Sequence, residues 1–468
     1  MEQLIPSRKI IGPSFQLLSN WCSMGCAGCG IHVAAPSGSE IVNLEANHLA
    51  NARANLQMVK EKLDDMGFEY AMVEQSGGEP THHPQVVATV GEVFENAVHK
   101  IITNGLTSRS IYPYLRERGD RVFVVVSIDH QEIEQNYIRL GSAQKSKPHR
   151  AAEMHSMILG NLDLFVTSGI AVVVSTIISR WNIDRYLDFI GWLEAKYPNQ
   201  IQDGKLTPIP VSLVSFGNAN LGKLNPTNEQ INEFEEAVDR SRLLTVGRTR
   251  DWLFKQLLGH YRNKERFFER GESLEQIQSS PSRLSCEIFR HMISFNFQDE
   301  EILRPPDQAL FEGYSCGVKV LGNIGHELGA ASHRRLETFG DRPSNMKAGK
   351  KYYRTNQVEE YINRKERVTH DGEAIEMGGE VGYFGNLRRG MCMLDDFDGV
   401  WWPFNVYLQH AVDEAQLGEY WSLFRNGRFM EKLRQVREAA NVTETAGRHH
   451  AGGLPEYGKA LRWERARV

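Results

Sequence analysis

Three cysteines lie close together near the start of the chain, in the segment WCSMGCAGCG at residues 21–30. They are Cys22, Cys26 and Cys29, and no further cysteine follows in this half of the chain. A structural zinc site closes with four ligands, so zinc would need His32 or a distant residue as the fourth. A four-iron cluster held by three thiolates instead leaves one iron open to a substrate or cofactor. The spacing therefore favours an iron–sulfur cluster with an open position.

The elements around this loop follow a repeating pattern between residues 14 and 217. Short β-branched runs alternate with amphipathic helical stretches, which predicts a parallel sheet. The predicted strands are 14–20, 70–76, 100–105, 121–129, 170–179 and 206–215. Helical stretches lie between them, for example at 47–66, 84–98, 149–167 and 183–197. We therefore predict an α/β fold, a partial (β/α)6 TIM-like barrel with an additional C-terminal α+β region.

Four short motifs follow four successive predicted strands. The cysteine loop follows the first strand, GGEP (77–80) the second, TNG (103–105) the third and SID (127–129) the fourth. Chemistry in β/α barrels collects at the carboxyl ends of the strands. We therefore expect these motifs to meet at one edge of the sheet.

The composition excludes some classes of partner. The chain of 468 residues has a net charge of −5, which argues against binding to nucleic acid or to a membrane surface. The first residues lack the apolar core of a signal peptide, and the longest apolar run, at 169–178, is too short to cross a bilayer. We expect a cytoplasmic protein, in which cysteines serve as ligands or reactive groups rather than in disulfides.

Residues 14–217 resemble the radical S-adenosylmethionine (radical SAM) superfamily. The CxxxCxxC motif of that family is met by Cys22, Cys26 and Cys29. The resemblance implies that these three hold a [4Fe–4S] cluster, whose fourth iron binds the amino and carboxylate groups of SAM. It further implies reductive cleavage of SAM to a 5′-deoxyadenosyl radical that abstracts a substrate hydrogen, with the electron coming from a donor such as flavodoxin or ferredoxin.

The other motifs resemble the SAM-binding segments of the same family. The resemblance implies that Glu79 accepts from the methionyl ammonium, beside glycines that let the backbone approach the ligand. It implies that Ser127 and Arg139 hold the SAM carboxylate and that Asn104 approaches the ribose. The predicted cofactor-binding residues are Gly77, Gly78, Glu79, Pro80, Asn104, Ser127 and Arg139.

Each of these residues also has a plain structural interpretation. GGEP alone is an ordinary turn, Ser127 a strand end and Arg139 a surface charge. One departure from the family pattern is Gly28, because most relatives carry an aromatic residue there that packs against the adenine. The adenine would then need another platform. The joint placement at the strand ends favours the cofactor site.

The C-terminal half leaves the substrate open. We predict a barrel at 1–225, a helical connection at 226–283 and a substrate-binding or auxiliary region at 284–468. Its cysteines are Cys286, Cys316 and Cys392, none of them in a CxxC pair. Each could be a buried packing residue, since free cysteine behaves as a small hydrophobe.

Two enzyme hypotheses use these cysteines. In the first, Cys392 donates hydrogen to a substrate radical during Cα epimerisation of a ribosomal precursor peptide, as the chain loosely resembles the proteusin-type peptide epimerases. In the second, Cys286, Cys316 and Cys392 hold an auxiliary cluster in a dehydrogenase or bond-forming enzyme that acts on a peptide or a small molecule. A non-catalytic iron–sulfur or zinc scaffold is the third hypothesis, which the SAM-binding motifs disfavour.

Overall fold

The strands form one mainly parallel sheet. The computed structural model describes residues 9–18, 21–24, 26, 44–70, 72–107, 109–212, 226–249, 254, 257–258, 292–297, 300–314 and 352–362. In this part of the chain the strands are β1 Lys9–Leu17, β2 Phe68–Tyr70, β3 Met72–Gly77, β4 Val98–Thr103, β5 Val122–Ser127, β6 Ala171–Ile178, β7 Leu206–Ser212, β8 Met292–Asn296, β9 Leu310–Tyr314 and β10 Tyr352–Arg354.

The helices lie mostly between consecutive strands. They are α1 Ala46–Asp65, α2 Pro84–Val93, α3 Tyr112–Arg118, α4 Tyr137–Ser146, α5 Pro148–Thr167, α6 Tyr186–Lys196, α7 Pro198–Gln202, α8 Asn228–Arg240 and α9 Leu244–Thr249. None of the helices in the described part of the chain is both long enough and apolar enough to span a bilayer.

The strand order confirms the predicted α/β fold. Strands β1, β3, β4, β5, β6 and β7 are neighbours in that order, and every pair is parallel. Each crossover therefore advances by one strand in the same direction, as in a β/α barrel. Among the described residues β7 pairs only with β6, so the sheet is open along this edge, as a partial barrel is.

Strands from the C-terminal half extend the same sheet beyond β1. Strand β8 pairs in parallel with β1, and β9 and β10 follow in antiparallel order. Helix α1 also holds this region, since Asn55 Nδ2 donates to the carbonyl oxygens of Ile302 and Arg304 at 2.9 and 2.8 Å. The division into domains at residue 284 stays a prediction, but residues 292–362 include strands of the N-terminal sheet.

Two apolar clusters fix the helices on the sheet. One joins α1 and α2 to β1, β3, β8 and β9, with Phe15, Leu56 and Phe295 fully buried. The other joins α5 and α6 to the strands β4–β6, and Val124 and Phe189 are among its buried members. Burying each such side chain contributes about 1.5–3 kcal/mol. The carboxyl ends of the strands are therefore held at fixed positions.

Candidate functional site

The loop that carries the cysteines is tied directly to the GGEP loop. Strands β1 and β3 end side by side, with Leu17 in register with Gly77. The chain then turns, and the Trp21 N–H donates to the Leu18 carbonyl at 2.9 Å. The Glu79 N–H in turn donates to the Trp21 carbonyl at 2.7 Å. This bond places Cys22 beside the end of β3.

Only glycine fits at Gly77 and Gly78. Gly77 has a φ of +136°, and a Cβ there would lie 2.4 Å from the Leu17 carbonyl oxygen. A Cβ on Gly78 would lie 2.1 Å from the carbonyl oxygen of Trp21. The backbone atoms that come this close belong to the end of β1 for Gly77 and to the cysteine loop for Gly78. The physical reason is that the neighbouring strands β1 and β3 end in register, so the backbones that follow them run close together. The approach of a ligand to these glycines stays a prediction.

Glu79 is buried and joins the end of β3 to the end of β4. Its Oε1 accepts from Thr81 Oγ1 at 2.5 Å, from the Thr81 N–H at 3.2 Å and from Thr103 Oγ1 at 2.7 Å. Its Oε2 accepts from the Asn104 N–H at 2.6 Å. A carboxylate offers about four acceptor positions, so these four donors engage Glu79 extensively. Binding of an ammonium group by Glu79 stays a prediction; Pro80, beside it, begins a 3-10 turn and is buried.

Asn104 contacts a predicted cluster ligand. Its Nδ2 donates to Cys22 Sγ at 3.4 Å, and its Oδ1 accepts from the Leu106 N–H at 2.8 Å. The Met24 N–H also donates to Cys22 Sγ, at 3.4 Å. The structure directs this carboxamide to the sulfur, and the approach of Asn104 to a ribose stays a prediction. Two N–H groups therefore favour negative charge on Cys22 Sγ.

Two of the three cysteines of the motif lie among the described residues. Cys22 is buried, and Cys26 is partly buried against the apolar cluster that contains β4–β6. Cys29 lies outside the described residues, which contain no group of three or more His, Cys, Asp or Glu side chains placed to hold a metal. Two thiols, one of them facing N–H donors, fit the sulfur ligation of an iron–sulfur cluster.

Two histidines of the GGEP loop contact the cysteine loop. His82 Nε2 lies 2.9 Å from Ser23 Oγ. The ring of His83 packs edge-on against Trp21, with 5.1 Å between ring centroids. Burial, together with the neighbouring charge of His82, lowers the pKa of His83 to about 4. His83 is therefore a neutral packing partner of the loop at neutral pH.

Ser127 lies at the end of β5, and Arg139 lies in the helix that follows this strand. Ser127 is the last residue of β5, is partly exposed and is in register with Ser175 of β6. Arg139 lies in the first turn of α4, and its Nε donates to Asp129 Oδ1 at 3.0 Å. The Ile177 N–H donates to the same oxygen at 3.2 Å. Burial raises the pKa of Asp129, and the Arg139 charge opposes that shift.

A buried polar network after β5 was missed by the sequence analysis. Asn136 Oδ1 accepts from the N–H groups of Asp129 and His130 at 3.0 and 3.1 Å. His130 Nδ1 accepts from the Glu132 N–H, so its Nε2–H donates to the Arg185 carbonyl at 3.1 Å. Burial lowers the pKa of His130 and favours this neutral form. The signal in the sequence is the polar run directly after an apolar strand.

Direct hydrogen bonds or close backbone contacts thus connect Cys22, Gly77, Gly78, Glu79 and Asn104. Ser127 and Arg139 lie further along the same edge, on β5 and on the helix that follows it. Cys286, Cys316 and Cys392 lie outside the described residues.

Comparison with other proteins gives structural likenesses only. No protein-family model and no curated protein matches the sequence. Streptococcus suis SuiB bound to S-adenosylmethionine is 11% identical over 62% of this chain and 59% of its own, with a TM-score of 0.35. The same protein bound to its precursor peptide SuiA is 12% identical over 62% of this chain and 58% of its own, at 0.37.

A second solved structure, native anSMEcpe with bound AdoMet, is 13% identical over 82% of this chain and 98% of its own, with a TM-score of 0.37. In both of the SuiB matches given above, the aligned part spans less than two thirds of the length of SuiB. Because these TM-scores are below 0.5, the function proposed below rests on the residues of this chain.

Proposed function

We propose that the chain is a radical SAM enzyme. The observation that carries this proposal is the set of contacts at the carboxyl edge of the sheet. There the Glu79 N–H bonds to Trp21 in the cysteine loop, and Asn104 bonds to both Glu79 and Cys22. Three separate sequence motifs thus form one connected site, as a cofactor that touches all three would need.

In this proposal, Cys22, Cys26 and Cys29 hold a [4Fe–4S] cluster. SAM binds beside it through groups from Gly77, Gly78, Glu79, Pro80, Asn104, Ser127 and Arg139. When bound, the cluster supplies the electron that cleaves SAM to methionine and a 5′-deoxyadenosyl radical able to abstract hydrogen.

The residues of the chain would position the substrate and exclude water. Val125 shares a face of the sheet with Ser127, and Val173 shares it with Ser175. Both valines are buried and are register partners on adjacent strands. The serines at the strand ends are therefore bordered by apolar surface. Such a surface protects a reactive radical from water.

The finer proposal is epimerisation of a Cα centre in a precursor peptide. The Cα hydrogen would pass from one face of the peptide to the 5′-deoxyadenosyl group that SAM supplies, which would leave a radical on the carbon. The Cys392 thiol, which lies outside the described residues, donates its hydrogen atom to the other face. The resulting thiyl radical then takes one electron from the protein electron donor and one proton from solvent, which restores the thiol.

Anaerobic reconstitution tests the radical SAM proposal. The full chain should bind about four irons in one cluster and form 5′-deoxyadenosine from SAM when reduced. The variant with Cys22→Ala, Cys26→Ala and Cys29→Ala should do neither. Cys286→Ala removes a thiol elsewhere and should still cleave SAM. SAM cleavage by the triple variant would overturn the proposal.

A further inference from the structure

We propose that Asn104 is a positioning residue that raises the reduction potential of the cluster by donating its side-chain N–H to Cys22 Sγ. This inference rests on the proposed function, because it requires Cys22 to be a cluster ligand. It assigns to Asn104 an action on the ligand sulfur in addition to the ribose contact that the sequence suggested.

The hydrogen-bond pattern fixes the orientation of the Asn104 carboxamide. Its oxygen and nitrogen ends have similar shape, so the partners must distinguish them. The Leu106 backbone N–H can only donate, and it lies 2.8 Å from Oδ1. The opposite end, which faces Cys22 Sγ at 3.4 Å, is therefore the NH2 group. In this hydrogen bond the Asn104 side-chain amide is the donor and the Cys22 sulfur is the acceptor.

The backbone on both sides holds Asn104 at this place. The Asn104 N–H donates to Glu79 Oε2 at 2.6 Å. The next residue, Gly105, has a φ of +84°, and its carbonyl accepts from Asn161 Nδ2 at 2.8 Å. Asn104 is also only 9% exposed. The carboxamide is therefore fixed toward the sulfur in advance and loses little conformational freedom when it bonds to it.

A donor at this place acts on the redox equilibrium of the cluster. One-electron reduction adds negative charge, which spreads over the sulfur atoms. An N–H dipole directed at a ligand sulfur stabilises that charge, and hydrogen bonds to the sulfurs are among the factors that set cluster potentials. The bond should therefore favour the reduced cluster, and its loss should make the potential more negative.

Two variants of Asn104 separate this effect from simple support of the loop. Asn104→Leu removes the donor and keeps a similar volume. Asn104→Asp keeps an oxygen for the Leu106 N–H but puts a second oxygen near the sulfur. Both should retain about four irons per chain. At a fixed solution potential, the ratio of reduced to oxidised cluster should fall roughly three- to tenfold in Asn104→Leu, and further in Asn104→Asp.

The matched control is Asn161→Leu. Asn161 supports the same loop through Gly105, but the bonds described for its side chain go to carbonyl oxygens rather than to sulfur. Its potential, measured by the same EPR-monitored titration, should equal that of the parent chain. An unchanged potential in both Asn104 variants with intact clusters would overturn the inference. An equal shift in Asn161→Leu would also overturn it, because loop support would then suffice.

A measurement on the unmodified sequence covers the case in which the variants do not bind the cluster. Asparagine labelled with ¹⁵N only in the side-chain amide is incorporated, and the reduced cluster is studied by pulsed EPR. A ¹⁵N hyperfine coupling supports the contact, and its absence overturns the inference while the radical SAM proposal stands. A parent chain without a cluster would overturn the proposed function, and this inference with it.

Discussion

The backbone N–H of Glu79 and the carbonyl oxygen of Trp21 are 2.7 Å apart, and this bond links the GGEP loop to the cysteine loop. It forms only because Gly78 has no side chain, since a Cβ there would lie 2.1 Å from the same carbonyl oxygen. The GGEP loop therefore serves to hold the cysteine loop, whatever it binds in addition. This relationship makes the role of each glycine testable without a cofactor.

Gly78→Ala should destabilise the protein and displace the cysteine loop. Forcing a methyl group into this contact should lower the free energy of unfolding by about 1–3 kcal/mol, measured by urea denaturation. Reconstituted iron should fall as well, because Cys22 moves with Trp21. The matched control is Gly160→Ala in α5, where a Cβ meets no atom within 4 Å. It should leave the iron content unchanged and stabilise α5 by about 0.5–1 kcal/mol. Equal behaviour of the two variants would contradict this assignment.

Glu79→Ala should affect both stability and SAM affinity. The substitution removes the acceptor of four donors. They are the backbone N–H groups of Thr81 and Asn104 and the hydroxyl groups of Thr81 and Thr103. Each buried group left unsatisfied costs about 1–3 kcal/mol. If Glu79 also accepts from the SAM ammonium, SAM affinity should fall roughly ten- to hundredfold.

Thr103→Val separates the two contributions of Glu79. It removes one donor to Oε1 and leaves the carboxylate in place. A direct ammonium contact predicts nearly normal SAM affinity in Thr103→Val, measured by equilibrium dialysis under anaerobic conditions. A loss of affinity that parallels the loss of stability in both variants would mean that Glu79 acts only through the fold.

His83 should make the stability of the protein fall in mild acid. Its pKa is lowered to about 4 by burial, whereas in an unfolded chain it is near 6.5. The unfolded state therefore takes up a proton first as the pH falls, and stability is lost between about pH 6.5 and 4, by up to about 3 kcal/mol. His83→Phe keeps a ring against Trp21 and should flatten this pH dependence. An identical pH profile for the two proteins would refute the prediction.

Replacing Arg139 should leave the buried carboxylate of Asp129 without its ion-pair partner. Asp129 is fully buried, and its pKa is raised by burial and held down by Arg139. Breaking such a pair by removing one partner costs about 3–5 kcal/mol, so Arg139→Met should be strongly destabilised at neutral pH. Because the pKa of Asp129 would then rise further, the variant should recover stability as the pH falls. Asp129→Asn in the Arg139→Met background should remove that recovery, as thermal unfolding at several pH values would show.

The sequence predicted the parallel strands and the motif positions because both are local patterns. Strand β5 was predicted at 121–129 and lies at Val122–Ser127, and Gly77 is the last residue of β3, as a strand-end motif requires. The bonds from Thr103 and Asn104 to Glu79 depend on which strands are neighbours. That order follows from the crossovers and not from any single segment.

Two features of the fold could not be predicted from local sequence patterns. Strand β8 pairs with β1 across almost three hundred positions, and nothing in the five-residue run MISFN specifies that partner. Helix α4 is not among the helical stretches named from the sequence, because YIRLGSAQKS contains glycine and serine and has little apolar periodicity. Burial of Ile138 and Leu140 stabilises it instead. Arg139 is thereby placed beside Asp129.

Cys392 offers the most specific test of the epimerisation proposal. If the deoxyadenosyl radical takes hydrogen from one face of a Cα, the carbon radical must receive hydrogen on the other face. A thiol is a suitable donor, because its S–H bond is weaker than most C–H bonds. Since thiol hydrogens exchange with solvent, the product formed in deuterated water should gain one deuterium at each inverted centre, as mass spectrometry would show.

Cys392→Ala should separate hydrogen abstraction from hydrogen return. The variant should still form 5′-deoxyadenosine from SAM, since Cys22, Cys26 and Cys29 are unchanged, but it should yield little inverted peptide. Cys286→Ala and Cys316→Ala should retain inversion if those residues only pack. About eight irons per reconstituted chain, rather than four, would instead favour an auxiliary cluster at the three cysteines. Normal inversion by Cys392→Ala would place the donor elsewhere and remove the residue-level support for epimerisation.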